Sequence, residues 1–121
     1  MNTITLGKLG EQLARMYLLG HGYEILAHNY RLRGGEIDII CRHQQVVVFV
    51  EVKTRRKLTY GLGRESITPR KQDRLRAAAQ NFLAAYADPY HTVRFDVIDI
   101  VWPNNQSPRL THLQNCVQSD S

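Results

Sequence analysis

The sequence predicts an α/β domain in which a mixed central sheet is flanked by helices. Apolar residues recur at helical spacing near the start of the chain and again past its middle. Three stretches of strand character lie between those helices, and another follows the second one. Consecutive strands favour a hairpin, whereas a strand, helix, strand step favours a parallel pair, so one sheet holds both senses.

Taken in order, Leu6, Leu9, Leu13, Met16 and Tyr17 place an amphipathic helix at about residues 5–20, stopped by Gly22. Glu11 falls near Gly7, Ala14 and Leu18 on its wheel, at the edge of the apolar stripe. Tyr23 to Ala27 and Tyr30 to Arg33 read as a first strand interrupted at His28 and Asn29, with Gly34-Gly35 as a turn or bulge. Glu36 to Cys41 is a second strand, Arg42 to Gln45 a turn, and Val46 to Lys53 a third strand. A long connection from Thr54 to Ile67 is pliable at Gly61 and Gly63. Thr68-Pro69 then offers a capping oxygen and a proline at the first helical position. This second helix buries Leu75, Ala78, Ala79, Phe82, Leu83 and Tyr86 and runs to about Ala87, before Asp88-Pro89. Val93 to Trp102 is a fourth strand, and Leu110 to Leu113 a short edge strand. One domain over residues 1–115 and a flexible tail over 116–121 are expected.

The composition excludes several classes. With 43% hydrophobic and 22% charged residues the chain is ordinary for a soluble domain. The absence of a signal-peptide core or a membrane-length apolar run makes the cytoplasm the expected location, with no membrane partner. Cys41 and Cys116 are too few for a disulfide framework and lack zinc-ligand spacing, and the five histidines are scattered. The net charge is +5, and nine of the sixteen Lys and Arg lie together: Lys53, Arg55, Arg56, Lys57, Arg64, Arg70, Lys71, Arg74 and Arg76. A solvated basic face explains such a cluster, and so does a polyanionic partner. Arg70, Lys71 and Arg74 sit where a helix dipole disfavours them, which suggests a purpose other than helix stability.

The stretch GGEIDIICRHQQVVVFVEVK places charge in an apolar sheet. An unpaired buried charge costs on the order of several kcal/mol. An even-length hairpin loop, Gln44-Gln45 or Arg42 to Gln45, sets Asp38 opposite Glu51, Ile40 opposite Phe49 and Glu36 opposite Lys53. This register gathers the charges on one face and leaves the other apolar. Two opposed carboxylates repel, so Glu36 and Lys53 offset them within a structural ion cluster, one acid stays protonated, or a divalent cation sits between them. Mg²⁺ takes one or two carboxylates and a carbonyl, which Asp38, Glu51 and the backbone carbonyl of Val52 provide. Lys53, beyond Glu51 on the same face, is placed to orient or deprotonate an attacking water. Asp96 and Asp99, on the fourth strand, read instead as local ion pairs or strand-end hydrogen bonds.

Asp38 followed by Glu51-Val52-Lys53, in a helix, three strands, helix, strand order, resembles the PD-(D/E)XK nuclease superfamily. More closely, GKLGEQLARMYLLGHGYEIL, GGEIDII, VFVEVKTR and the basic helix after them resemble the YraN family, itself similar to archaeal Holliday junction resolvases. The proline that names the superfamily is replaced by Ile37. The resemblance implies a restriction-endonuclease-like αβββαβ core and a Mg²⁺- or Mn²⁺-dependent endonuclease acting on DNA, including branched or junction DNA. Asp38 and Glu51 match the metal-binding acids, Lys53 the catalytic lysine, and Glu11 the acid of the first helix. Arg55, Arg56, Lys57, Arg64, Arg70, Lys71 and Arg74 would hold backbone phosphates, of DNA or of RNA. Cutting both arms of a junction needs two sites, which implies a homodimer. The alternative is a nucleic-acid-binding module that keeps the fold with little or no activity.

Overall fold

A computed structural model describes residues 4–57 and 68–116 of the chain. The expected pliable glycines Gly61 and Gly63, with Arg64, lie outside the described residues, as does the tail beyond Cys116. The described elements are α1 (Leu6–Gly20), β1 (Glu24–Leu32), β2 (Gly35–His43), β3 (Val46–Arg55), α2 (Pro69–Ala84), β4 (Thr92–Val101) and β5 (Arg109–Leu113).

The Thr5 hydroxyl caps α1 by accepting the Lys8 N–H at 3.2 Å, and Gly22, at φ 84°, turns the chain out of it. The side of α1 that meets the sheet is Gly10, Ala14 and Leu18. This corrects the stripe read from the larger side chains: Met16 is 69% exposed. Close approach decides the matter, since a Cβ on Gly10 would run into the Thr54 side chain on β3. Small residues let α1 lie against the strand, and its longer apolar side chains splay to either side.

The strands lie in the order β1-β2-β3-β4-β5. Among the described strands only β3 and β4 are parallel, as a crossover through α2 requires; the other neighbours are antiparallel. β1 runs unbroken where the sequence suggests an interruption. A bulge between Ile25 and Ala27 absorbs one residue, and Asn29 adopts φ 53° within the strand. The β2–β3 turn is Gln44-Gln45, which gives the even register and pairs Ile40 with Phe49 as expected. β3 extends past Lys53 because its pairing with β4 continues to Arg55↔Val101. α2 starts at its Thr68 cap and stops at Ala84, short of Ala87. Its last turn tightens, with Ala85 and Tyr86 N–H bonded to Phe82 and Leu83 carbonyls at 3.2 Å.

This five-stranded mixed sheet with two helices is consistent with a restriction-endonuclease-like core. The α2 layer buries Ile37, Ile40, Val47, Phe49, Leu75, Ala78, Ala79 and Val97. The α1 layer buries Ala14, Leu18, Tyr23, Ile39, Cys41, Val48, Val50, Ile98 and Ile100. Trp102 packs beside the α1 layer. No described helix is long and apolar enough to cross a membrane.

Gly7 and Gly10 on α1 test this packing. Nothing stands within 4 Å of a Cβ at Gly7. Gly7→Ala should therefore stabilise the fold by about 0.5–1 kcal/mol through helix propensity. Gly10→Ala should instead destabilise it by about 1–3 kcal/mol through overpacking. Urea denaturation measures both, and equal effects of the same sign would refute the placement of α1.

Candidate functional site

β2 and β3 pair as far as Ile39↔Val50 and then part. Continuing that register brings Asp38 opposite Glu51, at the root of a fork between the strands. The Val52 N–H, which would meet the next carbonyl of β2 in an unbroken ladder, donates instead to Asp38 Oδ2 at 2.7 Å. The N–H and carbonyl of one strand residue point to the same side, so the Val52 carbonyl is aimed into the fork as well.

The alternation of side chains also breaks here. Ile37 and Ile40 both face α2, whereas Ile39 and Cys41 face α1. Strict alternation would put Ile37 with Ile39. The phase changes at Asp38 and at Asn29, which stands beside it on β1 with positive φ. Tyr30↔Ile37 and Ala27↔Ile40 thus both reach the α2 layer. Asp38 is the residue at the step, and its carboxylate turns to the backbone of β3.

Asp38 and Glu51 line one cleft of about 720 Å³ between the β1–β2 hairpin and the start of α2. Its basic lining residues are Arg31, Arg70, Lys71 and Arg74; Glu36, Thr68 and Gly35 complete the nearer walls. Burial pushes the Asp38 carboxyl up from its ordinary 3.8 to about 7, and the Glu51 charge adds to this. The hydrogen bond from Val52 works against them, while the charges of Glu11 and Glu36 raise it further. Glu51, with a side chain only 12% exposed, meets Lys71 Nζ at 2.6 Å.

Asp96 shows how this chain settles a buried acid. Burial alone would raise its pKa, but hydrogen bonds from His112, Arg94 and the Asn115 N–H hold it below the usual carboxylate range. Arg94 reaches both carboxylate oxygens at 2.9 Å, and His112 Nε2 lies 2.7 Å from Oδ2. At the margins of the network the Tyr23 hydroxyl accepts from Arg94, and the Tyr17 hydroxyl lies 3.0 Å from His112 Nδ1. That is the local ion pair expected for Asp96, enlarged. Asp38 is set against acids and one backbone N–H, which is the opposite arrangement.

The remaining candidates are distributed as follows. Glu36 makes its ion pair with Arg31 on β1, at 3.4 Å, rather than standing across from Lys53. Lys53 is half-buried and in register with Asp99 on β4. Arg55 meets Asp99 at 2.8 Å and is largely buried, so this member of the predicted phosphate set turns into the sheet. Arg56 is exposed and donates to the Trp102 carbonyl at 3.3 Å; Lys57 is exposed. Arg64 is outside the described residues. Arg70, Lys71 and Arg74 stand together on the cleft wall. Glu11 belongs to the other layer, on α1, and acts on Asp38 through its charge. Among the described residues no three His, Cys, Asp or Glu side chains converge as a metal-binding group. The donors brought together are therefore two carboxylates and a carbonyl. Sequence reasoning missed Arg31 and the register of Asp99 with Lys53; an aspartate inside the apolar run VIDIV was the signal for the second.

A family model for the uncharacterised protein family UPF0102 matches residues 10–100. The chain belongs to the UPF0102 family. This is the YraN family to which GEIDII and VEVK pointed. A UPF0102 protein of Trichlorobacter lovleyi is 43% identical over 110 residues, covering 90% of this chain and 87% of that one. Another, from Caldicellulosiruptor bescii, is 46% identical over 101 residues, covering 83% and 85%. A third, from Parafrankia, is 43% identical over 107 residues, covering 88% and 91%. The UPF0102 match spans Glu11, Asp38, Glu51, Lys53, the bases of α2 and Asp99, and ends before His112 and Asn115.

The strain at Asp38 has a measurable sign. The folded chain holds a proton on Asp38 more tightly than the unfolded chain, with a pKa of about 7 against 3.8. Its stability therefore falls as pH rises from about 4 to about 7. Asp38→Asn removes this loss and keeps an acceptor for Val52 N–H. The variant should exceed the natural chain in urea resistance by up to a few kcal/mol near pH 8, with the gap closing toward pH 4. A difference that does not vary with pH would contradict the assignment.

Proposed function

We propose that the cleft is the active site of a divalent-cation-dependent DNA endonuclease, acting on branched or junction DNA. The observation that carries this reading is geometric. The Asp38 and Glu51 carboxylates line a cleft walled by four basic side chains, and the Val52 backbone turns toward Asp38 in the fork beside it. The donor set suits Mg²⁺ or Mn²⁺, held by Asp38, Glu51 and the Val52 carbonyl. Such a cation, when bound, supplies Lewis acidity toward a phosphoryl oxygen and neutralises the two acids.

The chain's own residues do the rest. Lys53 lies beyond Glu51 on the same strand face, where it can accept a proton from the attacking water or balance charge on the phosphate. Asp99 is its partner in register on β4. Arg31, Arg70, Lys71 and Arg74 receive backbone phosphates from both cleft walls, which positions a strand without reading its bases. Glu11 adds negative potential from the α1 side and so strengthens the demand for a cation.

A second reading has its own support. Lys71 already satisfies Glu51, and no third acidic or histidine ligand converges among the described residues. Both features suit a module that binds nucleic acid through the cleft without cutting it.

The deciding experiment incubates the purified chain with Mg²⁺ or Mn²⁺ and linear, flapped and four-way-junction DNA. Cleavage should occur and should fall at least ~100-fold in Glu51→Ala and Lys53→Ala. Cleavage that persists in both variants would place the activity elsewhere. Salt-sensitive binding with no cleavage by the natural chain would select the second reading. For phosphate contact, Arg70→Ala and Arg74→Ala should each weaken binding alike on unrelated DNA sequences. Each should also lower the slope of log affinity against log salt by about one. An unchanged slope would remove that residue from the interface.

A further inference from the structure

Lys71 stands where helix physics opposes it. It follows the Thr68 cap by three residues, and its own N–H is the one that the Thr68 hydroxyl accepts, at 3.2 Å. Positive charge in a first turn works against the helix dipole, and Arg70 and Arg74 crowd the same end. A glutamate or glutamine at that position would close a capping box. What Lys71 gains instead is Glu51, 2.6 Å from its ammonium. Glu51 is nearly buried, whereas the Lys71 side chain is 37% exposed. The lysine thus spans from a buried acid to the open cleft, and four rotatable bonds allow its end to move while its backbone stays capped.

Glu51 is also one of the two acids fitted to hold a divalent cation. An ammonium and a divalent cation repel each other strongly when both crowd one carboxylate. We infer that Lys71 is a built-in counter-ion which a divalent cation displaces from Glu51, and that the released ammonium takes a backbone phosphate at the start of α2. That end of the helix already favours an anion through its dipole and through Arg70 and Arg74. This inference rests on the cleft being a cation and phosphate site and adds how its two ligands are linked. The cation frees the ammonium for phosphate, and phosphate holds the ammonium away from Glu51. Each ligand therefore tightens the other, by the same factor in both directions.

Calorimetric titration of the full chain with Mn²⁺, alone and with a duplex oligonucleotide present, tests this. In the natural chain the oligonucleotide should tighten Mn²⁺ binding, on the order of tenfold. Lys71→Met should bind Mn²⁺ about tenfold more tightly than the natural chain when DNA is absent, and should lose the enhancement by DNA. Lys71→Arg, which keeps the charge, should resemble the natural chain. If Lys71→Met binds Mn²⁺ no more tightly while the natural chain binds it and Glu51→Gln does not, the counter-ion role is overturned and the cation seat stands. If the natural chain and Glu51→Gln bind Mn²⁺ equally, or neither binds it, the seat itself fails and the inference falls with it. A measurement without substitution guards against misfolding. Saturating Mg²⁺ should shift the Nζ resonance of Lys71 in the natural chain, and an unmoved resonance overturns the displacement.

Discussion

The bond from the Val52 N–H to the Asp38 carboxylate governs the end of the sheet that borders the cleft. Where β2 leaves β3, a backbone donor loses its ladder partner, and a buried donor left unpaired costs about 1–3 kcal/mol. Asp38 supplies the acceptor from its side chain, and so the strands can separate without that loss. The separation opens a fork beside the cleft, turns the Val52 backbone toward that fork, and leaves Asp38 and Glu51 on the cleft wall. The phase change at Asn29 and Asp38 serves the same end, because it returns Ile37 to the α2 layer and keeps the core closed beside the opening.

The two buried aspartates show two ways of carrying charge in one sheet. Asp96 is enclosed by Arg94, His112 and Asn115, and its network joins β4 to β5, to α1 through Tyr17, and to the start of β1 through Tyr23. Such an acid holds elements together. Asp38 is surrounded by Glu51, Glu36 and Glu11 and keeps a net demand for positive charge. Perturbed acids that face a cleft mark functional sites more often than they mark scaffolds. The contrast within a single chain removes the general explanation that this protein tolerates poorly neutralised acids everywhere.

Much of this was legible because a hairpin is local. Alternation between apolar faces, with an even turn at Gln44-Gln45, is enough to align β2 with β3 and hence Asp38 with Glu51. Thr68-Pro69 announced α2 by capping chemistry alone. Other features depend on elements far apart in the chain. The pairing of Lys53 with Asp99 is set by the crossover through α2, so no spacing within β3 or β4 reveals it. The reach of Lys71 to Glu51 requires knowing where α2 lands on the sheet. Bulk is a poor guide to the buried side of α1, because the sheet selects Gly10 and Ala14 for closeness. That same rotation brings Glu11 nearer to the buried side than its place on the wheel suggested.

The borders of the described sheet also constrain assembly. β1 and β5 form those borders. β1 is bent by its bulge and by Asn29, and β5 is a short strand of five residues. Irregular and short border strands are poor templates for a foreign strand, which protects a chain against fibril growth and strand exchange.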